Sequence, residues 1–135
     1  MFVKEIEPGF YDTDALGHIN NTRLPVWFEL ARNDLFAVFS PALDPKEWHL
    51  ILARLEVDFI GELFYNDKVQ VKTWVERLGN SSIVVLQEAW QGDRLGARGR
   101  VTMVHYDWSE KKSCRIPDPI RARLEKHFPS DAPDA

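Results

Sequence analysis

The spacing of apolar residues changes once along this chain, from a period near 3.6 to a period of two. Within residues 22–39, apolar side chains recur at intervals of four, three, four and three. Such intervals place side chains on one face of an amphipathic helix. Trp27 and Leu30 widen that face, so we predict a helix that is buried on most sides. The residues that form the face are Leu24, Phe28, Ala31, Leu35 and Val38.

Alternation of apolar and polar residues predicts strands on both sides of this helix. A weak alternation at 2–6 indicates a first strand, and four clearer ones follow the helix. Turn-forming residues separate these four, and their short gaps are typical of hairpins, so an antiparallel meander is expected. The four strands are predicted at 54–59, 69–76, 82–90 and 98–108.

A single domain with one helix packed on one curled antiparallel sheet satisfies both apolar faces and gives an α+β fold. Residues 117–127 are expected to form a closing helix. We therefore expect a domain over 1–128 and a polar tail at 129–135. Trp74 and Trp90 fall on the outer face of the sheet, which suggests that the closing helix or a second subunit covers it.

Composition excludes several functional classes. The 135 residues are enough for one core, and 17 basic against 21 acidic residues give a net charge of −4. A mildly acidic chain without a basic run is a poor candidate for binding nucleic acid or an anionic membrane. No apolar stretch reaches the length of a signal peptide or membrane span, so we expect a cytoplasmic protein.

Cysteine and histidine usage gives no indication of a metal site. Cys114 is the one cysteine, which excludes a disulfide within the chain and any multi-cysteine metal site. The four histidines show no paired ligand spacing. We therefore expect no metal site.

The polar segment before the helix has the composition of a site for acyl transfer. Asp12 and Asp14 precede the helix start by a few residues, where unpaired N–H groups and the helix dipole favour negative charge. A carboxylate beside such donors can attack an acyl carbon or activate water while the N–H groups hold the oxyanion. Asp, Thr and Asn are also common in caps and turns without chemistry, so a structural loop is the alternative.

The run at residues 10–21, FYDTDALGHINN, is followed at 27–32 by WFELAR. Together they resemble hotdog-fold acyl-CoA thioesterases of the 4-hydroxybenzoyl-CoA thioesterase type. Weaker similarity at 57–59 and 65–67 extends the resemblance over most of the chain. It implies a hotdog fold, in which a curled antiparallel sheet wraps a long central helix. It also implies hydrolysis of an acyl-CoA to a carboxylic acid and free CoA, without a cofactor.

The resemblance also implies roles for individual residues. Asp14 matches the nucleophile or general base, and the backbone N–H near Asn21 matches the oxyanion donor. His18 matches a variant found in the catalytic loop, and Asn20 and Phe59 are expected to contact substrate. The acyl group is expected along the helix, in a site completed by a second subunit whose sheet joins the first, giving a homodimer or homotetramer. The thioester carrier is CoA or acyl carrier protein.

Two other functions on the same fold stay open at this point. A hydratase or dehydratase uses an Asp and a His in one loop for proton transfer, and Asp14 and His18 share a loop here. A non-catalytic acyl-thioester binding protein is the other, since fold does not determine function. The sequence also departs from the family at 61–63, GEL, where many relatives have a basic residue and a proline, so the family's usual CoA-phosphate contact is not implied there.

Overall fold

The computed structural model describes residues 1–129 and contains one antiparallel sheet with three helices. The strands are β1 (Phe2–Ile6), β2 (Leu50–Phe59), β3 (Val69–Leu78), β4 (Ser82–Gln91), β5 (Arg94–Asp107) and β6 (Lys112–Ser113). The helices are α1 (Arg23–Ala31), α2 (Asn33–Phe39) and α3 (Asp118–Leu124). Single 3-10 turns lie at Phe10–Asp12, Pro45–Glu47 and Glu125–His127. The tail predicted at 129–135 lies outside the described residues from 130 onward.

The sheet order is β1-β3-β4-β5-β2, and β6 pairs with the end of β5. The hairpins predicted between β3, β4 and β5 are confirmed. The full meander is wrong, because β2 pairs with β5, with Leu55 opposite Val101. The other edge of β2 has no partner strand within residues 1–129. The connection at 60–68 is longer than a hairpin loop, so it can carry the chain across the end of the sheet.

The predicted helix over 22–39 consists of two segments that meet at Arg32, so one continuous long helix is not observed. The N–H of Arg32 donates to the carbonyls of both Phe28 and Glu29, each at 3.1 Å. This shared bond tightens the turn, as at the end of a helix, while the apolar face continues. The burial predicted for Leu30 is wrong, because its side chain is 44% exposed on the opposite face.

The core lies between the two helices and the inner face of the sheet, as the alternation predicts. Phe28 and Leu35 are completely buried, one beneath each helical segment. Inward positions of the central strands are apolar and also completely buried, which fits a sheet with one face on the core. These positions include Val71, Val75, Val85, Ala89, Ala97 and Val101.

A polar network interrupts this core where α1 meets α2. The Nε2 of Gln87 donates to the Phe28 carbonyl at 2.9 Å and to Thr73 Oγ1 at 3.1 Å. Its Oε1 accepts a hydrogen bond of 3.1 Å from Arg32 Nη1. Gln87 and Thr73 both occupy inward strand positions, so the network joins two strands to the junction between the helices.

The closing helix α3 forms close to where it is predicted, but it does not cover the outer face of the sheet. Leu124 is completely buried in the same core cluster as Leu35, and Arg121 Nη1 donates to the Gly79 carbonyl at 2.8 Å. The helix therefore closes one end of the core. On the outer face, the ammonium of Lys72 lies 5.1 Å from the ring centre of Trp90.

Candidate active site

The loop before α1 is held in place by Asp12. Its carboxylate is buried, with 3% of the residue exposed. One oxygen accepts the Gly9 N–H at 2.8 Å, and the other accepts the Nε–H of Arg23 at 2.6 Å. The Asp12 carbonyl accepts the N–H of Asn20 at 2.7 Å. These contacts occupy both carboxylate oxygens, so Asp12 fixes the loop against the helix.

Asp14 is exposed at the tip of the same loop, and only one of its oxygens is occupied. Oδ1 accepts the N–H groups of Leu16 at 2.8 Å and His18 at 3.2 Å, while the Asp14 N–H donates to the His18 carbonyl at 2.8 Å. Gly17 turns the chain between them with φ of +80°, a conformation that other residues rarely adopt. Within residues 1–129, Oδ2 has no hydrogen-bond donor and neither oxygen has a cation at ion-pair distance.

The turn at residues 20–22, which leads into α1, contains one N–H group without an acceptor in the described chain. Oδ1 of Asn20 accepts both the N–H of Thr22 at 2.9 Å and its hydroxyl at 2.8 Å. The N–H groups of Arg23 and Leu24 donate to the carbonyls of Asn20 and Asn21. In the part of the chain that the structure describes, the N–H of Asn21 has no such partner. It is therefore available to a ligand at a helix N-terminus, where partial positive charge favours an oxyanion.

All five site residues predicted from the sequence line one cleft of about 400 Å³. The cleft lies between the loop that contains Asp14, the start of α1 and the end of β2, where Phe59 is 56% exposed. The structure thus brings these residues together, while their catalytic and binding roles remain predictions. The predicted residues in the lining are Asp14, His18, Asn20, Asn21 and Phe59, and the others are Ile19, Leu24, Gly61, Glu62, Leu63 and Gly96.

The imidazole of His18 is oriented by groups other than Asp14. Its ring packs edge-on against Phe64, with 5.1 Å between ring centres, and Nδ1 lies 3.8 Å from Oε1 of Glu62. His18 bonds to the Asp14 carboxylate through its backbone N–H, and no bond between the two side chains is present in the described chain. The two side chains therefore do not form the hydrogen-bonded proton-transfer pair that a hydratase would use.

From the sequence, residues 61–63 were identified only as a departure from the family and not as a wall of the cleft. Leu63 is buried, and its carbonyl accepts the Ile19 N–H at 2.8 Å, which joins this segment to the loop that contains Asp14. A Cβ on Gly96 would collide with the Leu63 side chain, so the neighbouring strand needs glycine there. A glycine within an alternating strand is the signal that could have indicated such a close approach.

The cleft carries negative rather than positive side chains. Asp14 and Glu62 both line it, and its described lining contains no lysine or arginine. Phosphate groups of a CoA carrier would therefore be expected to bind outside the cleft. Across residues 1–129, no three His, Cys, Asp or Glu side chains are arranged to hold a metal ion. No helix in that range is long and apolar enough to cross a membrane.

Comparison with solved structures gives relatives over nearly the whole chain. A predicted thioesterase from Bacillus stearothermophilus is 38% identical, with a TM-score of 0.91 over 96% of this chain and 97% of that one. A thioesterase from Thermus thermophilus, crystallised with coenzyme A and Zn, is 29% identical, with a TM-score of 0.82 over 93% of this chain and 92% of that one.

A more distant structure shows the same fold. Slr0204, a 1,4-dihydroxy-2-naphthoyl-CoA thioesterase from Synechocystis, is 19% identical and superposes with a TM-score of 0.77 over 91% of this chain and 94% of its own. The family model of the thioesterase-like superfamily matches residues 8–124, which include the whole cleft. The family that the sequence resembles is thereby confirmed: this chain belongs to the thioesterase-like superfamily, with the curled antiparallel sheet of hotdog thioesterases.

Proposed function

We propose that the protein hydrolyses acyl-CoA thioesters to a carboxylic acid and free CoA, with Asp14 and the Asn21 N–H as its catalytic groups. One observation carries this proposal. The unoccupied Oδ2 of Asp14 and the unpaired N–H of Asn21 belong to residues that line the same cleft. A thioester carbonyl in that cleft would meet a carboxylate and an oxyanion donor together.

The chemistry needs only these groups and water. As a general base, Asp14 takes a proton from water while the water oxygen bonds to the thioester carbon, and the N–H of Asn21 holds the carbonyl oxygen as it becomes negative. The carbon–sulfur bond then breaks, and the proton passes from Asp14 to the leaving sulfur. As a nucleophile, Asp14 itself bonds to the carbon and releases the CoA thiolate. Water then cleaves the anhydride.

The other predicted residues have supporting positions in this scheme. Oδ1 of Asn20 accepts the N–H and the hydroxyl of Thr22, which holds the turn that contains the N–H of Asn21. The exposed ring of Phe59 offers an apolar surface to the acyl group. His18, beside Glu62, lies at the cleft wall and serves in positioning substrate or in proton exchange with the leaving group.

We also propose that two chains pair through β2. This ten-residue strand has one unpaired edge, and long exposed edges are normally covered or paired. Large apolar side chains lie exposed on β2 or just after it, at Leu52, Phe59 and Ile60. Pairing with a second copy would join two sheets and enclose the cleft, which otherwise opens to solvent beside Phe59.

A panel of acyl-CoA substrates with detection of the released thiol tests the activity. The proposal predicts thiol release by the purified protein and its loss in Asp14→Asn. Enoyl-CoA hydration, followed by absorbance, tests the hydratase alternative, and CoA thioester binding without turnover would indicate a binding protein instead. Single turnovers in ¹⁸O-labelled water separate the two roles of Asp14, because only a nucleophilic carboxylate becomes labelled.

A further inference from the structure

Arg32 is a buried cation without a counter-ion. It is 4% exposed at the junction of α1 and α2, and no carboxylate of residues 1–129 lies within ion-pair distance of it. Nη1 donates to the neutral Oε1 of Gln87 at 3.1 Å, while Nε is buried and has no hydrogen-bond partner within the described chain. Burial lowers the pKa of this guanidinium, and the Glu29 charge only partly opposes that effect. An unsatisfied buried N–H is costly unless a ligand completes it.

Arg32 lines a second cleft of about 360 Å³. One wall is helical and the other is formed mainly by β2 and β5, where Leu50 and Met103 are buried and Leu52 is 54% exposed. The cleft is therefore apolar apart from its helical wall. The helical wall consists of Glu29, Arg32, Asn33 and Phe36, and the opposite wall consists of Trp48, Leu50, Leu52 and Met103.

The two clefts lie along the same boundary between the helices and β2. The first contacts the end of β2 at Phe59 and the helix start at Asn21, while the second contacts the beginning of β2 at Leu50 and the helix junction at Arg32. Arg32 follows Asn21 by eleven positions, which corresponds to about 16 Å along a helix. An acyl chain of that length, extending from the reacting carbonyl along this boundary, would reach Arg32.

We propose that Arg32 determines substrate specificity by donating hydrogen bonds to a hydroxyl or carbonyl oxygen on the acyl group, far from the thioester. This inference rests on the proposed thioesterase function and defines its substrate class. An oxygen acceptor would satisfy the donors that Gln87 leaves unused. Glu29 shares the cleft and is exposed, so its charge offsets that of Arg32 and disfavours a carboxylate. An uncharged oxygen is therefore preferred.

The test compares acyl-CoAs of increasing chain length that end in a methyl, a hydroxyl or a carboxylate. The wild-type protein should show kcat/KM at least roughly tenfold higher for the hydroxyl than for the methyl terminus at one chain length, the scale of a hydrogen bond to a charged group. Arg32→Gln should abolish this ratio and leave short unsubstituted acyl-CoAs unaffected. Glu29→Gln should improve the carboxylate substrates selectively.

A second variant keeps the test decisive if Arg32→Gln does not fold. Leu52→Trp enlarges an exposed side chain that lines the second cleft, and should impair long substrates while sparing short ones. Because Leu52 also lies on the proposed pairing strand β2, light scattering checks that the variant keeps the mass of the wild-type protein. Leu30→Trp is the matched control, since this exposed helical residue lines neither cleft. Two results would overturn the inference. One is an equal kcat/KM for methyl and hydroxyl termini at every chain length. The other is a preference for the hydroxyl terminus that neither Arg32→Gln nor Leu52→Trp alters.

Non-hydrolysable acyl-CoA thioethers distinguish this failure from failure of the proposed function. Calorimetric titration should show tighter binding of the hydroxyl-terminated thioether in the wild type and equal binding of both thioethers in the Arg32 or Leu52 variant. If no thioester is hydrolysed but this difference in binding persists, the catalytic proposal is wrong and the role of Arg32 stands. If hydrolysis occurs without any difference, the role of Arg32 is wrong.

Discussion

Arg23 Nε donates to Asp12 Oδ1 across 2.6 Å, joining the loop to the first residue of α1. This ion pair separates two otherwise equivalent carboxylates. Asp12 is buried and fully occupied, whereas Asp14, two positions later, is exposed with one oxygen unoccupied in the described chain. The same loop therefore contains a structural aspartate and an aspartate that is available for chemistry.

Removing the charge of Asp12 should lower stability. Asp12→Asn weakens the bond to Arg23, whose side chain is 31% exposed. We expect a loss of about 2 kcal/mol in the free energy of unfolding, below the 3–5 kcal/mol of a fully buried pair. Urea titration measures it. Arg23→Met should give a similar loss, and unchanged midpoints in both variants would mean that the pair does not stabilise the loop.

The largest single packing contribution is expected from Phe28. This side chain is completely buried between α1 and the sheet, so Phe28→Ala should cost about 3–5 kcal/mol. Denaturant titration provides the measurement. Leu30→Ala, on the exposed side of the same helix, should cost less than about 1 kcal/mol. Similar costs for both variants would contradict the proposed position of the core.

Acid should destabilise the protein through His105. Burial lowers the pKa of this imidazole from its ordinary value of 6.5, and His49 adds to the effect. The folded state then binds its proton less readily than the unfolded state. The contribution of neutral His105 to the free energy of unfolding is complete above pH 6.5, and it is lost as the pH falls through the lowered pKa.

The midpoint of urea unfolding should therefore decrease below about pH 6.5. His105→Gln should make that decrease shallower. His127 is shifted in the same direction by burial and the N-terminal charge, so His127→Gln serves as a second test of the same effect. A pH profile identical in the wild type and both variants would contradict the assignment.

Local periodicity was sufficient to predict most elements, but not the neighbours of β2. Alternation shows which side chains share a face, and the inward positions of β4 and β5 follow it closely. It contains no information on which distant strand supplies the partner, so the pairing of Leu55 with Val101 was missed. The break between the two helices at Arg32 could not be predicted either, because the intervals of four and three between apolar residues continue through it.

The candidate site was more predictable from sequence than its surroundings. The loop residues are contiguous, so their motif brings Asp14 and Asn21 together without knowledge of the sheet. Glu62, by contrast, reaches the cleft only through the connection that follows β2. Arg32 and Gln87 are polar residues at apolar positions, and their hydrogen bonds to each other, to Thr73 and to the Phe28 carbonyl could not be read from the sequence.

The paired sheet predicts a dimer in solution. Light scattering at micromolar concentration should give twice the mass of one chain. Leu55→Lys places a charge on the outer strand β2, away from the cleft lining, and should shift the mass toward one chain. Lys4→Glu on β1, at the other sheet edge, is the control and should leave the dimer intact. A wild-type monomer would exclude pairing through β2.

The most direct test of the proposed catalytic role of Asp14 is the turnover of the Asp14→Asn variant. This substitution keeps the size and hydrogen-bonding oxygen of the side chain and removes its charge. The kcat on a short acyl-CoA should fall at least about a hundredfold, the scale of a lost general base, with KM and the melting temperature little changed. Asp12→Asn should lower kcat less. Near-normal turnover by Asp14→Asn, or an inactive but folded Asp12→Asn, would contradict the assignment.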